Sequence, residues 1–181
     1  MESFVIPADY GVALVDAAAY PSFVAKKWSL PQIQKHFVAQ MNQGTILPWG
    51  TGAPGNWRID ITDGSTTGIK SRLRAVQGYR EFRGYITATG TKLHLTSYDE
   101  LTMVAQFKDR QLPSEGSNEW FISICPGEYE CRVVQLYDPE EAESEEVFNQ
   151  ETPHFLLILT RAKRPKSTIF DQVPWLAEGD S

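Results

Sequence analysis

The sequence predicts a mainly β protein, a single-domain antiparallel β-sandwich with one amphipathic helix, at about residues 29–43, packed against the sheets. Short apolar or alternating runs recur along the chain and are separated by turns of Gly, Pro, Ser and Thr. Only one segment carries a full set of helix signals. No repeat and no long linker divides the 181 residues, so we expect one domain over 1–181.

The composition indicates a soluble cytoplasmic protein. Apolar residues make up 41 % of the chain, and no apolar run approaches the roughly 20 residues that span a bilayer. The sequence Met1-Glu2-Ser3-Phe4 has no signal-peptide pattern. Two cysteines are too few for a disulfide framework. We therefore expect no association with a membrane.

Four strands are predicted in the first part of the chain. Tyr10–Val15 is apolar on both faces, which indicates an interior position, and Trp57–Ile61 alternates as a half-buried strand does. Thr45–Trp49 and Ile69–Val76 are less regular strand candidates. The glycine-rich run Gly50–Asn56 lacks a terminal Gly-Lys-Ser/Thr and opens no helix, so we do not expect it to bind phosphate.

The helix at 29–43 is predicted from its two ends and from its apolar stripe. Ser29 and Gln32 have the spacing of a capping box, and Gly44 supplies a C-terminal stop. The stripe consists of Leu30, Ile33, Phe37 and Met41. Residues at this spacing share one face of a helix, so we expect the stripe to pack against the core.

The central part of the chain is predicted to form two β-hairpins. Phe82–Ala88 and Lys92–Thr96 are separated by three residues, the length of a hairpin connection. His94 would then lie on the solvent face of the second strand. Trp120–Ile124 and Tyr129–Leu136 flank a Pro-Gly dipeptide, which is a strong turn signal.

The segment Leu101–Phe107 fits two structures. Ser97 and Glu100 have capping-box spacing, which indicates a helix. Apolar residues at every second position from Leu101 onward are instead typical of a strand. We favour a short helical corner that leads into an extended segment.

The excess negative charge is concentrated in one acidic surface loop, predicted at 138–152. The net charge is −6, and Asp138–Glu151 contains seven of the 23 acids and no Lys or Arg, which leaves 16 acids and 17 bases elsewhere. A nucleic-acid binder would show the opposite charge, so no nucleic-acid partner is expected. The loop precedes a buried central strand, His154–Thr160, and an irregular C-terminal tail at 161–181.

No set of residues predicts a catalytic or metal site, and no cofactor is expected. His36, His94 and His154 stand at no metal-ligand spacing and have no cluster of Cys or carboxylates nearby. The chain has no nucleophile elbow, dinucleotide fingerprint or Ca²⁺ loop. We therefore predict that the protein is not an enzyme.

The two cysteines are expected to be ordinary reduced thiols. If Pro126-Gly127 centres a two-residue turn, Cys131 faces Ile122 and not Cys125, so the sulfur atoms are not opposed. A catalytic thiol would also need a nearby base, and the sequence supplies no signature of one.

Trp49 and Trp57 flank the glycine-rich run and are candidate binding residues. Exposed aromatic side chains beside a mobile loop can anchor a partner. The alternative is that one of them packs under the loop. A small-molecule-binding domain, or an enzyme that uses a cleft near these two tryptophans, is therefore a second hypothesis for the function.

The acidic loop has three interpretations. It can be a solvated insertion that keeps the protein soluble, or it can pair with the basic segment Arg161–Lys166. The third interpretation is attraction of a partner with a basic surface, because clustered carboxylates raise the association rate with cationic surfaces. The carboxylates concerned are Glu140, Glu141, Glu143, Glu145 and Glu146.

Three stretches carry a resemblance to a known family: Ala8–Asp16, then Gly84–Ala88 with Leu93–Ser97, then Ile122–Cys131. A Pro-Gly-x-Tyr turn between two strands, at 126–129, carries most of it. The order of these features resembles the competence protein J family of small bacterial β-sandwich proteins, which act as inhibitors of a partner nuclease. The acidic loop and the tail have no obvious counterpart in that pattern, and the resemblance assigns no functional residue.

The prediction is therefore a non-enzymatic protein-binding module, an immunity or inhibitor protein for a nuclease or toxin. Its partner is expected to be a protein with a basic surface. The residues expected to contact that partner are the five glutamates together with Trp49 and Trp57. A structural subunit of unknown role is the further alternative.

Overall fold

The structure is a computed structural model, and it describes residues 1–64, 78–149 and 151–176. Within these ranges nine strands form two sheets, and one continuous core contains side chains from both of them. The predicted mainly β sandwich is confirmed. The strand candidate Ile69–Val76 lies outside the described residues. In the part of the chain that is described, no helix is long and apolar enough to cross a membrane.

The larger sheet contains five strands. In spatial order they are β1 (Glu2–Ala8), β4 (Gly55–Asp63), β9 (Phe155–Arg161), β8 (Gly127–Gln135) and β5 (Arg80–Ala88). Neighbouring strands are antiparallel except for β4 and β9, which are parallel. The predicted antiparallel arrangement is therefore wrong at this pair, because strand direction depends on the path of the chain between the two strands and not on their local pattern. β9 is buried between β4 and β8, which confirms the central strand predicted from its apolar run.

The smaller sheet contains four antiparallel strands. In spatial order they are β3 (Ile46–Gly50), β2 (Gly11–Val15), β6 (Lys92–Ser97) and β7 (Phe121–Ser123). Every residue of β2 is buried. The interior position predicted from its two apolar faces is therefore confirmed.

Both predicted hairpins are wrong. β5 pairs with β8, while β6 pairs with β2 and β7, so the short connection between β5 and β6 carries the chain from one sheet to the other. The turn at Pro126-Gly127 does the same between β7 and β8. Cys131 consequently lies beside Gly84 and Leu159 and not beside Ile122, and both cysteines are free.

Helix α1 (Leu30–Gln43) forms where its end signals predict it. The Ser29 N–H donates to Gln32 Oε1 at 2.8 Å, and Gly44 follows the helix with a φ of 76°, which glycine adopts without strain. The helix packs against β3 and β5. Its buried stripe includes Ile33, Phe37 and Met41.

The segment Leu101–Phe107, for which the sequence allowed either a helix or a strand, is helical up to Gln106 and belongs to α2 (Tyr98–Gln106). The Ser97 hydroxyl accepts from the Glu100 N–H at 3.3 Å, and the chain becomes extended at Phe107. The helical part of the prediction is therefore confirmed, whereas the extended segment is wrong, because the helix continues to Gln106 and a turn follows Phe107.

His94 does not face solvent as predicted, since it is only 8 % exposed. Its ring packs beside Phe121 of β7, with 5.8 Å between the ring centroids. On the same strand, Thr96 donates to Glu100 Oε2 of α2 at 2.7 Å. Both contacts come from residues outside β6, and alternation along a single strand cannot reveal such neighbours.

The C-terminal tail has no helix or strand over 162–176, yet it is bound closely to the sandwich. Arg164 donates to Met41 O at 3.1 Å and to Asn42 Oδ1 at 2.9 Å, at the end of α1. The Gly50 N–H donates to Pro174 O at 2.9 Å. A Cβ atom on Gly50 would lie 2.1 Å from Trp175 O, so this close approach requires glycine.

Candidate protein-binding surface

The acidic segment has more regular structure than the predicted loop. A 3-10 helix at Pro139–Glu141 is followed by a short helix, α3 (Glu145–Asn149). The Asp138 carboxylate accepts from the Glu140 N–H at 3.0 Å, and the Ser144 hydroxyl accepts from the Val147 N–H at 3.3 Å. Each turn therefore begins with a side-chain cap.

Two small apolar side chains attach the segment to the sandwich. Ala142 and Val147 are both buried. Ala142 lies so close to Gly52 that a Cβ atom on this glycine would be 3.2 Å from the methyl group. α3 packs on β4. This attachment could not be predicted from the sequence, because one Ala and one Val among seven acids form no periodic pattern.

His154 joins the acidic segment to the larger sheet. Its ring is fully buried, with Nε2 at 2.7 Å from Val147 O and Nδ1 accepting from the Arg58 N–H at 2.7 Å. An Nδ1 acceptor requires the proton on Nε2, so a neutral ring donates to Val147. Burial lowers the pKa of His154 below its ordinary value, which favours this neutral form.

Tyr137 also holds the acidic segment on the sandwich, and with His154 it forms what we call the base of this segment. Its hydroxyl donates to Thr51 O at 2.5 Å, and its ring stacks on Trp57 with 5.1 Å between centroids. The same ring meets His154 edge-on at 5.8 Å. Burial raises the pKa of Tyr137, so the hydroxyl stays protonated and continues to donate. The base of the acidic segment is therefore an aromatic cluster continuous with the core.

The carboxylates above this base point outward. We call them the acidic ridge, which consists of Glu140, Glu141, Glu143, Glu145 and Glu146. All five are exposed, and none forms an ion pair with any residue that the structure describes. They therefore present a negative field to solvent from a base that is itself held in place.

The basic segment Arg161–Lys166 does not neutralise the acidic ridge. The Arg161 guanidinium donates to Pro126 O at 3.0 Å, and Arg164 is bound to the end of α1. Lys163 and Lys166 are exposed and form no ion pair with the ridge. The interpretation that the two charged segments pair with each other is therefore wrong.

Trp49 and Trp57 are not exposed beside the glycine-rich run. They are 1 % and 0 % exposed, and both pack edge-on or tilted against Phe155, with 5.9 Å between centroids in each pair. They lie on β3 and β4 with their side chains in the core between the sheets. Their predicted exposure is wrong, because strand residues that flank a loop can still point inward.

The histidines lie on separate elements: His36 on α1, His94 on β6, and His154 just before β9. Among the described residues, no group of three or more His, Cys, Asp and Glu side chains is placed to hold a metal ion.

No protein-family model matches the sequence, and no curated protein matches it significantly. Among solved structures, the fold is similar to the protein titled crocagin biosynthetic gene J, with a TM-score of 0.60 and 14 % identity over 89 % of this chain and 96 % of that chain. It is also similar to ComJ from Bacillus subtilis, an inhibitor of the DNA degrading activity of NucA, with a TM-score of 0.50 and 9 % identity over 90 % and 96 %. The predicted resemblance to competence protein J is confirmed at the level of the fold.

Proposed function

We propose that this protein binds another protein and inhibits it, and that its target is a nuclease or toxin with a basic surface. The acidic ridge carries this proposal, because five exposed carboxylates without described partners stand on a folded base. The fold supports it, since ComJ, an inhibitor of a DNA degrading activity, has the same fold. A biosynthesis protein has this fold as well, so the ridge and not the fold is the deciding feature.

The chemistry of a nuclease fits a partner of this kind. An enzyme that holds a polyanion needs a positive substrate cleft, and such a cleft attracts a negative protein surface in the same way. The capped turns already order the backbone that carries these glutamates, so binding does not require this backbone to be ordered, which favours affinity. Inhibition then follows from occupation of the cleft and needs no catalytic group on this chain.

The test measures whether this protein inhibits a nuclease from degrading DNA. The nuclease is the one whose gene lies nearest to the gene of this protein. The ridge variant changes Glu140, Glu141, Glu143, Glu145 and Glu146 to Gln. We expect its inhibition constant to rise by about tenfold or more, because charge steering and the contacts made by the carboxylates are both lost.

A matched control separates the ridge from net charge. It changes five other exposed acids to their amides, namely Glu2, Asp109, Glu115, Glu119 and Asp171. We expect its inhibition to stay within about twofold of the wild type. Equal losses in the two variants would show that net charge and not the ridge matters. Failure of the wild type to inhibit would contradict this nuclease as the target.

A further inference from the structure

A cleft of about 480 Å³ opens between the two sheets, where the ends of β4 and β9 face β7. Its inner wall is apolar and includes Ile61, Ile122, Leu159 and Tyr129, all of them buried. Polar residues, among them Thr62 and Ser123, line much of the rest of the cleft. A volume of roughly 300–1,000 Å³ is typical of small-molecule sites. β4 and β9 are parallel and the acidic ridge is attached near their first residues, so the cleft lies at the opposite end of this strand pair.

Arg161, the last residue of β9, lines the cleft and is exposed. Its Nη2 donates to Pro126 O at 3.0 Å, and its side chain has no carboxylate partner among the residues that the structure describes. A Cβ atom on Gly127 would lie 3.0 Å from the same nitrogen. The guanidinium therefore rests on the backbone of this turn, which fixes its place and leaves further N–H groups to donate.

Two acids, Asp63 and Glu2, also line the cleft, and neither forms an ion pair with Arg161. Glu2 lies on β1, and β4 stands between β1 and β9. Glu2 pairs with Ile61 and Ile61 pairs with Leu157, so Glu2 lies two strand spacings, about 10 Å, from Leu157. Arg161 is four residues further along β9, so its backbone is more distant still from that of Glu2.

We propose that this cleft binds a small apolar carboxylic acid, whose hydrocarbon part packs against the inner wall and whose carboxylate pairs with Arg161. Guanidinium and carboxylate groups form paired, charge-assisted hydrogen bonds, and removal of hydrocarbon from water favours its burial on apolar walls. The Tyr129 hydroxyl in the wall already donates to Cys125 O at 2.7 Å, so it requires no polar group from the ligand. This site is independent of the inhibitor function proposed above.

Octanoate and octanamide form the appropriate pair of probes, because they have the same hydrocarbon part and differ in charge. Calorimetric titration of the full chain should show saturable binding of octanoate that is about tenfold or more tighter than binding of octanamide. Equal affinities for the two compounds, or no saturable binding of octanoate, would overturn the proposal. This comparison uses the wild type and depends on no variant.

Variants then test the role of Arg161. Arg161→Met keeps the aliphatic stem and should bring octanoate affinity down to that of octanamide, while octanamide binding stays within about twofold. Arg83→Met is the control. Arg83 is an exposed residue of β5 that pairs with Glu130 at 3.1 Å, and it does not line the cleft. A preference for octanoate that survives Arg161→Met would contradict the assignment of the carboxylate to this residue.

Cys125 reports where the ligand binds. Its thiol is exposed and lines the cleft, whereas Cys131 is buried. Octanoate at saturation should slow alkylation of Cys125 by iodoacetamide by about fivefold or more, as expected for a side chain that a ligand covers. An unchanged alkylation rate at saturating octanoate would place the ligand elsewhere and overturn the proposal.

Discussion

The imidazole of His154 donates from Nε2 to the carbonyl oxygen of Val147 at 2.7 Å, and this bond connects the strand β9 to the helix that carries part of the acidic ridge. The other ring nitrogen accepts from the Arg58 N–H at 2.7 Å. A protonated ring has two donors and no acceptor, so it cannot keep the bond to Arg58. The attachment of the ridge therefore depends on a neutral His154.

Acid is predicted to loosen the ridge. The pKa of His154 is lowered in the folded chain, chiefly by burial, so an opened or unfolded chain binds its proton at higher pH. The stabilising contribution of the neutral ring is thus complete above about pH 6.5 and declines as the pH falls below that value. Hydrogen exchange of the amides at 140–149, corrected for intrinsic rates, should show lost protection at about pH 5.5 relative to about pH 7.5.

His154→Gln is the control for this pH dependence, because its amide does not titrate. The protection of 140–149 in this variant should be lower than in the wild type and should change little with pH. The same pH dependence in both proteins would assign the effect to another group, such as His36 or His94, whose pKa values burial also lowers.

Tyr137→Phe is predicted to destabilise the chain by about 1–3 kcal/mol, because it leaves the buried Thr51 O without its 2.5 Å hydrogen bond. Denaturant unfolding measures the change. Tyr85→Phe is the matched control, since the Tyr85 hydroxyl donates at 2.9 Å to Glu130, which is only partly buried and also binds Arg83. Tyr85→Phe should lower the free energy of unfolding by less than about 1 kcal/mol. Similar losses in both variants would argue against Tyr137 as part of the base.

Gly84→Ala is predicted to destabilise the chain by about 1–3 kcal/mol through crowding of the core. A Cβ atom at this position would lie 2.1 Å from Leu47 Cδ1, and Leu47 is fully buried. Gly90→Ala is the control, because no atom lies within 4 Å of a Cβ atom there, and we expect a change within about 0.5 kcal/mol. Equal melting temperatures of the two variants would contradict the packing of β5 on β3.

Local signals in the sequence predicted single elements well. Ser29, Gln32 and Gly44 marked the ends of α1, and the apolar run before Arg161 marked the central strand β9. These signals depend on residues close together in the chain, such as a cap and the amide that it accepts from. A sequence contains that information directly.

Contacts between distant segments could not be predicted in the same way. The short connection after Ala88 has the length of a hairpin turn, yet it crosses between the sheets, because strand partners are selected over the whole chain. Trp49 and Trp57 were expected at the surface for a related reason, since nothing local shows which elements cover a strand. The glutamates of the ridge were found from their charge alone, whereas the roles of Tyr137 and His154 beneath them required the tertiary structure.

Binding through the acidic ridge is tested most sharply by the salt dependence of the affinity between this protein and the proposed nuclease target. Between about 50 mM and about 500 mM salt, the affinity of the wild type should fall steeply, and that of the five-glutamine ridge variant should be lower at the outset and fall much less. An affinity of the wild type that does not change over this range, or a ridge variant with the same salt dependence as the wild type, would contradict binding through the acidic ridge.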